Sequence, residues 1–443
     1  MSASQETQTG GGHVALSLQR AVDEAQRCLL CHDAPCSQGC PGGTDPAKFI
    51  RQIRFYNFKG AARTVLGNNP LGGACAYVCP TDETCVRSGI DRPIDIDGLQ
   101  AFAVEYGREH GVKAMEAGAR RPHKVAVVGA GPAGLTAAAR LAMYGYPVTV
   151  FEARKELGGM LRYGVPESRL DSAKLDADLA EIKALGVEFK TEHLIESEDG
   201  AAKLLADGFK AIFVAPGLWK PATLKLDGIE LDGVGDALSF LEECRTDTAK
   251  ARALVKDKNV AVIGGGSVAM DVARCARELG AGRIYAIALE SMTELPAQAD
   301  ELGDALKDGV VIKPQCQVTR IIGEGGKVAF LEGHETEWIE PGKLVPQNAR
   351  PIEGTHFKLK VGAVIQAIGQ RPTDAVGKVL TSAKKQGALV EANAETQATS
   401  VAGVFAGGDL VRGAGTVVAA VGDGKRAADA IHRHLAGGKE VAS

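Results

Sequence analysis

Apolar positions along this chain follow two rhythms. Between Leu16 and Leu30 they mark one helical face, at Leu16, Leu18, Ala21, Val22 and Ala25. Phe49–Leu66 predicts a further helix pair, and Ala101–Arg121 starts helical before turning charged and Pro-containing. From Lys124 the rhythm changes. Val125–Val128 and Val148–Phe151 are short, wholly apolar runs, the pattern of strands buried on both faces. A helical stretch separates them. The same strand–turn–helix–strand order returns with Asn259–Ala269, a helix over Ala269–Leu279 and a strand over Arg283–Leu289. Phe209–Gly217 and Ala363–Gly369 read as apolar strands ending in glycine turns, and Asp171–Leu185 and Thr416–His432 as helices. Val318–Gly362, punctuated by Gly and Pro, predicts short strands whose register the pattern does not fix. The predicted class is α/β, two Rossmann-like domains behind an α-helical N-terminal domain.

The glycines give these elements their chemistry. Gly129, Gly131 and Gly134 form GxGxxG at the mouth of the first helix, with Pro132 and Ala133 between them. The first glycine permits the tight turn, the second lets backbone approach a pyrophosphate, and the third lets helix and strand pack closely. Glu152 ends the next strand, where a carboxylate can accept from ribose hydroxyls. The second fingerprint, Gly264-Gly265-Gly266-Ser267-Val268-Ala269, is GxGxxA, with Asp271 inside its helix and Glu290 after its second strand. Two fingerprints predict two dinucleotide sites. Glu290 follows Leu289 where a basic pair would suit a 2′-phosphate. A carboxylate there accepts from a 2′-hydroxyl and repels a phosphate, so NADH is expected over NADPH.

Seven of the ten cysteines lie between Cys28 and Cys85. Cys28, Cys31, Cys36 and Cys40 make C-x2-C-x4-C-x3-C, followed by Pro41; Cys75, Cys79 and Cys85 follow. Iron–sulfur runs close with Cys-Pro in this way. Zinc more often takes closed sets of four, and a disulfide framework suits secreted chains. The start, MSASQETQTGGGH, has no apolar core of a secretory signal and reads as a polar tail. Cys244, Cys275 and Cys316 read as buried structural thiols, and His432 as a cation suited to a helix C-terminus. A net charge of −4 gives no reason to expect nucleic acid, and no apolar run is long enough to span a membrane, so a cytoplasmic location is expected.

Several segments resemble known families. Gly158–Pro166, GGMLRYGVP, and Gly403–Asp409, GVFAGGD, with the helix after them, resemble the FAD fold of two-dinucleotide flavoprotein reductases. That likeness implies that Gly159, Met160, Leu161, Arg162, Gly217, Asp409, Thr416 and Val417 join the first fingerprint around FAD, and that Gly369 joins the second around NAD(H). Asn69–Gly72, CAYVCPTDETCVRSG and Pro93–Gln100 resemble the N-terminal half of the dihydropyrimidine dehydrogenases and its bacterial stand-alone counterpart, the PreT subunits. In that family two 4Fe–4S clusters are held here. The likeness implies one cluster on Cys40, Cys79, Cys85 and Gln100, and another on Cys28, Cys31 and Cys36. The family's further cysteine falls at Gly89, in a shortened loop. The first cluster then lacks its fourth ligand, for which Cys75, Ser88 or Asp91 are candidates. A three-iron cluster, or no first cluster, is the other expectation.

The implied organisation is a polar tail at 1–15, an iron–sulfur domain at 16–120, an FAD domain at 121–218 and 370–443, and an NAD(H) domain at 219–369. GGMLRYGVP lacks the redox cysteine pair of disulfide reductases, so flavin electrons would leave through the clusters. The chemistry belongs to the FAD and no catalytic side chain is expected. No barrel that could reduce a pyrimidine remains in the sequence. The resemblance implies an electron-input subunit working with a PreA-like FMN and iron–sulfur subunit, in a heterotetramer, to reduce uracil or thymine to the 5,6-dihydro form. Two other readings stand beside it: a glutamate synthase small subunit or related NAD(P)H oxidoreductase, and a non-catalytic iron–sulfur scaffold or redox sensor.

Overall fold

In the computed structural model, residues 15–80 and 84–437 are described. The polar tail expected at 1–15 thus lies outside the described residues except for its last position. The described chain forms two compact units. One comprises residues up to Arg162, Glu167–Leu218 and the chain from Pro372; the other comprises Tyr163–Pro166 and Trp219–Arg371.

The first unit opens with helices. Leu18–Arg27 is capped by Ser17, whose side chain accepts from Arg20 N. The expected pair over Phe49–Leu66 is Pro46–Arg54, with proline in its first turn, and Phe58–Asn68, capped by Asn57. Ile96–Glu109 closes the bundle. Phe49, Ile50, Ile53, Val65, Leu99 and Val104 form its core. Behind it lies a five-stranded parallel sheet, ordered Val404–Ala406, Ala211–Val214, Val125–Val128, Val148–Phe151 and Glu188–Lys190. The strand bearing the first fingerprint is central and wholly buried, as its unbroken apolar run requires.

The second unit repeats this plan. Its parallel sheet is ordered Val234–Asp236, Ala363–Gln366, Val260–Ile263, Ile284–Ile287 and Val311–Lys313, again with the fingerprint strand in the middle. The stretch of unfixed register is mainly one long hairpin, Cys316–Glu324 against Lys327–Trp338, turned at Gly325-Gly326, where both φ angles are positive.

One reading is corrected. The last helix runs on to Leu435, and His432 is buried rather than an exposed terminal cation. Its ring stacks on Tyr144 at 4.2 Å, and its Nδ1 lies 2.9 Å from the Tyr146 hydroxyl. Burial and then Arg121 push its pKa down, toward the neutral ring.

Candidate functional site

The first glycine turn is built to leave room. Gly129 has φ 101°, and Gly134 sits so close to it that an added Cβ would meet Gly129 O at 2.0 Å. Gly131 differs: a Cβ there would meet nothing within 4 Å. The space beside it is thus open for a ligand rather than taken by packing. Pro132 and Ala133 start the helix Pro132–Met143. Glu152 accepts from Ala130 N at 2.7 Å and from Arg154 N at 2.8 Å, which locks its carboxylate beside the turn. Gly159 lies against Gly131, its would-be Cβ 2.8 Å from Gly131 Cα, and the short helix Met160–Tyr163 follows, with Leu161 fully buried. Arg162 pairs with Asp176. Gly217, with φ 75°, ends the turn after the neighbouring strand.

The C-terminal segment comes to the same unit. The strand Val404–Ala406 leads into Gly408, at φ 66°, and Asp409. Burial pushes the Asp409 carboxyl up to about 6, against the pull of Arg412. Asp423 accepts from Gly408 N at 2.9 Å and pairs with Arg412 and Arg426. The Thr416 side chain caps Val417–Leu435 by accepting from Ala419 N. That helix packs closely on Pro132–Met143: a Cβ on Gly424 would meet Ala133 O at 2.3 Å. An open glycine turn, a fixed carboxylate and two helix N-termini suit a dinucleotide pyrophosphate and ribose.

In the second unit Gly264 has φ 140°, and a Cβ on Gly266 would meet only Pro296, at 3.8 Å. Ser267 and Val268 open the helix Ser267–Glu278, while Ala269 and Asp271 are buried in it. A Cβ on Gly265 would come within 3.3 Å of Glu290 Oε2, so that carboxylate stands over the second glycine. Gly369, with φ 111°, follows the strand Ala363–Gln366.

The cysteines fall into two groups, but not as the resemblance implied. One cavity is lined by Cys28, Cys31, Cys36 and Cys85, with apolar walls including Ile50 and Ile94. Leu30 and Ala34 take left-handed backbone, which wraps the loop around this cavity. Ile94 N donates to Cys85 Sγ at 3.4 Å, and Arg54 Nη1 holds Cys28 O at 2.8 Å. Cys85 was expected with Cys40 and Cys79; the fold brings it to the first three cysteines instead. The shortened loop turns back after Cys85, tied by Arg27 and Arg87 to Asp91. The oxygen donors considered for this site are engaged elsewhere: Ser88 Oγ donates to Cys85 O, and Asp91 binds arginines. A Cβ on Gly89 would meet nothing within 4 Å.

The second group is Cys40, Cys75 and Cys79. Cys40 and Cys75 are buried in one small cluster with Val418 of the C-terminal helix. Burial raises the Cys75 thiol well above its ordinary range, and the Cys79 and Cys40 thiols add to this. Gln100 is buried, and its Nε2 donates at 2.8 Å to Gly72 O, at the start of the helix carrying Cys75. Among the described residues no three His, Cys, Asp or Glu side chains are placed to hold a single metal ion. Four thiols around one apolar cavity, with arginines beside it, are a donor set that fits an iron–sulfur cluster.

Two families of known proteins match the chain. Residues 123–424 match the family described as pyridine nucleotide-disulphide oxidoreductase, and residues 8–112 match dihydropyrimidine dehydrogenase domain II, 4Fe-4S cluster. The Mycobacterium tuberculosis oxidoreductase FprA, at 17% identity, shares the fold, with a TM-score of 0.61 over 72% of this chain and 86% of that one. The chain is therefore a flavoprotein oxidoreductase that binds FAD and NAD(P)H and carries a 4Fe–4S domain.

Among curated relatives, the "NAD-dependent dihydropyrimidine dehydrogenase subunit PreT" of Escherichia coli K12 is 38% identical over 422 residues, covering 94% of this chain and 95% of its own. The "NADP(+)-dependent formate dehydrogenase subunit beta" of Moorella thermoacetica is 34% identical over 91% of this chain and 60% of its own. The chain belongs to the PreT family of NAD-dependent dihydropyrimidine dehydrogenase subunits. Among the described residues, no helix is long and apolar enough to cross a membrane.

Proposed function

We propose that this chain is the electron-input subunit of a dihydropyrimidine dehydrogenase, taking electrons from NADH and delivering them to an FMN-bearing, PreA-like subunit that reduces uracil or thymine. Bound FAD supplies two-electron acceptance from a nicotinamide and one-electron release. The chain's own residues bind, orient and connect. Gly129–Gly134, Glu152, Gly159 and Asp409 would hold FAD; Gly264–Ser267 and Glu290 would hold NADH. Glu290 favours a free 2′-hydroxyl and repels a 2′-phosphate. No cysteine stands in Gly158–Pro166 to take electrons as a dithiol.

One observation carries the reading. The helix whose N-terminus would face FAD rests on the cysteine-rich region. Val418, in its first turn, packs on Cys40 and Cys75. A Cβ on Gly422 would meet Pro41 O at 2.4 Å, and Lys425 Nζ donates to Gly42 O at 2.6 Å. One helix thus joins the flavin end of the unit to the second cysteine group.

The test is reconstitution of the purified holoprotein with the FMN and iron–sulfur subunit encoded in the same organism. NADH-dependent conversion of uracil or thymine to the dihydropyrimidine should require both chains. Oxidation of NADH without pyrimidine reduction, whichever subunit is supplied, would refute the assignment.

A further inference from the structure

We propose that the seven N-terminal cysteines divide as Cys28, Cys31, Cys36 and Cys85 around one 4Fe–4S cluster, and as Cys40, Cys75 and Cys79 with Gln100 around the other. This departs from the ligand sets implied by the family resemblance. There the deficit falls on the first cluster, and the position of Cys75 is not a ligand.

Three observations carry the division. The first is the cavity itself. Cys28, Cys31, Cys36 and Cys85 all line it, whereas none of Cys40, Cys75 and Cys79 does. The chain enters the cavity from two sides. Cys28 and Cys31 follow the end of Leu18–Arg27, and Cys85 leads into the short turn Val86–Gly89. The turn is clamped back by the contact of Ile94 N with Cys85 Sγ. Shortening the loop has therefore not removed the fourth thiol of this site.

The second observation is the company of Cys75. It is 1% exposed, packed with Cys40 and Val418, on the helix Gly72–Ala76. The Cys79 and Cys40 thiols both act on it.

The third is an orphaned donor. Asn69 is fully buried; its Oδ1 accepts from Leu71 N at 3.0 Å, but its Nδ2 has no hydrogen-bond partner among the described residues. The group this amide acts on is Cys75. A buried amide left unpaired is destabilising. Thiolate and cluster sulfur atoms are acceptors that would satisfy it, and such N–H···S bonds tune cluster potential. Gln100, buried and tied through its Nε2 to Gly72 O at the start of the same helix, would be the fourth donor of this set.

The assignment is tested on anaerobically purified holoprotein, by iron and sulfide content and by EPR after reduction. The wild type should hold about eight irons in two four-iron clusters. Cys85→Ser should alter the same EPR signal as Cys36→Ser. Cys75→Ser should alter the same signal as Cys40→Ser. Each should leave the other signal and the FAD content in place. A wild type with a three-iron signal or about four irons would overturn the division without any variant. So would Cys75→Ser with both signals and iron content unchanged, or Cys85→Ser acting on the Cys40-dependent signal.

Discussion

At the scale of single residues, the two dinucleotide sites turn on glycines that are free of packing. Gly131 and Gly266 both have extended backbone, φ −82° and −90°, which alanine adopts without strain. A methyl would meet nothing within 4 Å at Gly131, and only Pro296 at Gly266. Gly131→Ala should therefore fold normally and lose bound FAD, by at least about tenfold in affinity, read as flavin per protein. Gly266→Ala should keep its FAD yet need at least about tenfold more NADH to half-saturate flavin reduction. Gly134→Ala lacks this selectivity, because its methyl would strike Gly129 O. Glu290→Gln removes the charge over Gly265 and should narrow the NADH preference by about tenfold, equivalent to ~1.4 kcal/mol. The ratio of kcat/KM for NADH and NADPH reads this directly.

Among elements, the contacts that seat the cysteine helices matter most. Asp178, on Ser172–Ala184, is fully buried. It accepts from Gly73 N at 3.2 Å and Ala74 N at 2.7 Å, at the start of the Cys75 helix, and it pairs with Arg108. Asp178→Ala leaves two amides without their acceptor and takes from Arg108 its buried carboxylate, leaving it only Glu181, a loss of about 3–5 kcal/mol, which should appear as a lower Tm and reduced iron content. Burial pushes the Asp178 carboxyl up to about 6, against the attraction of Arg108. A carboxyl raised in the folded state binds its proton more tightly there than in the unfolded chain. Its contribution is greatest below its ordinary value and declines as pH rises through about 6. The Tm advantage of the wild type over Asp178→Asn should accordingly shrink as pH rises from 3.8 to about 6 and level off above that.

The two fingerprints were legible in the sequence at this scale because a buried parallel strand is an unbroken apolar run and its turn needs glycine. The home of Cys85 was not legible. Spacing along the chain does not say where the loop after it folds back, and that is decided by the Ile94, Arg27 and Arg87 contacts across it. The register of the Cys316–Trp338 hairpin was hidden for a related reason. Irregularities between Val318 and Arg320, and between Ile322 and Gly323, break its alternation. His432 looked like a terminal cation because its partners, Tyr144 and Tyr146, lie nearly 290 residues earlier.

For the whole molecule, the proposed function gives the electrons a direction. The second cysteine group lies against the helix that closes the flavin end of its unit, and Gly422 permits the close approach at Pro41. Gly422→Ala should leave reduction of the flavin by NADH unchanged while slowing delivery to the partner. The first cysteine cavity is lined in part by exposed apolar side chains: Leu29 and Val86 are 47% and 50% exposed. Under the proposed function, this apolar rim is the face offered to the FMN-bearing subunit. Leu29→Asp with Val86→Asp should weaken its capture by at least about tenfold, measured by titration of one purified subunit with the other.

The central claim is that NADH electrons reach the partner only through the cysteine-held clusters. The most direct measurement compares wild type with Cys36→Ser in the reconstituted complex, following flavin bleaching by NADH and formation of dihydropyrimidine in one sample. The variant should bleach its flavin at the wild-type rate and form no dihydropyrimidine. Undiminished pyrimidine reduction after loss of that cluster would contradict the account.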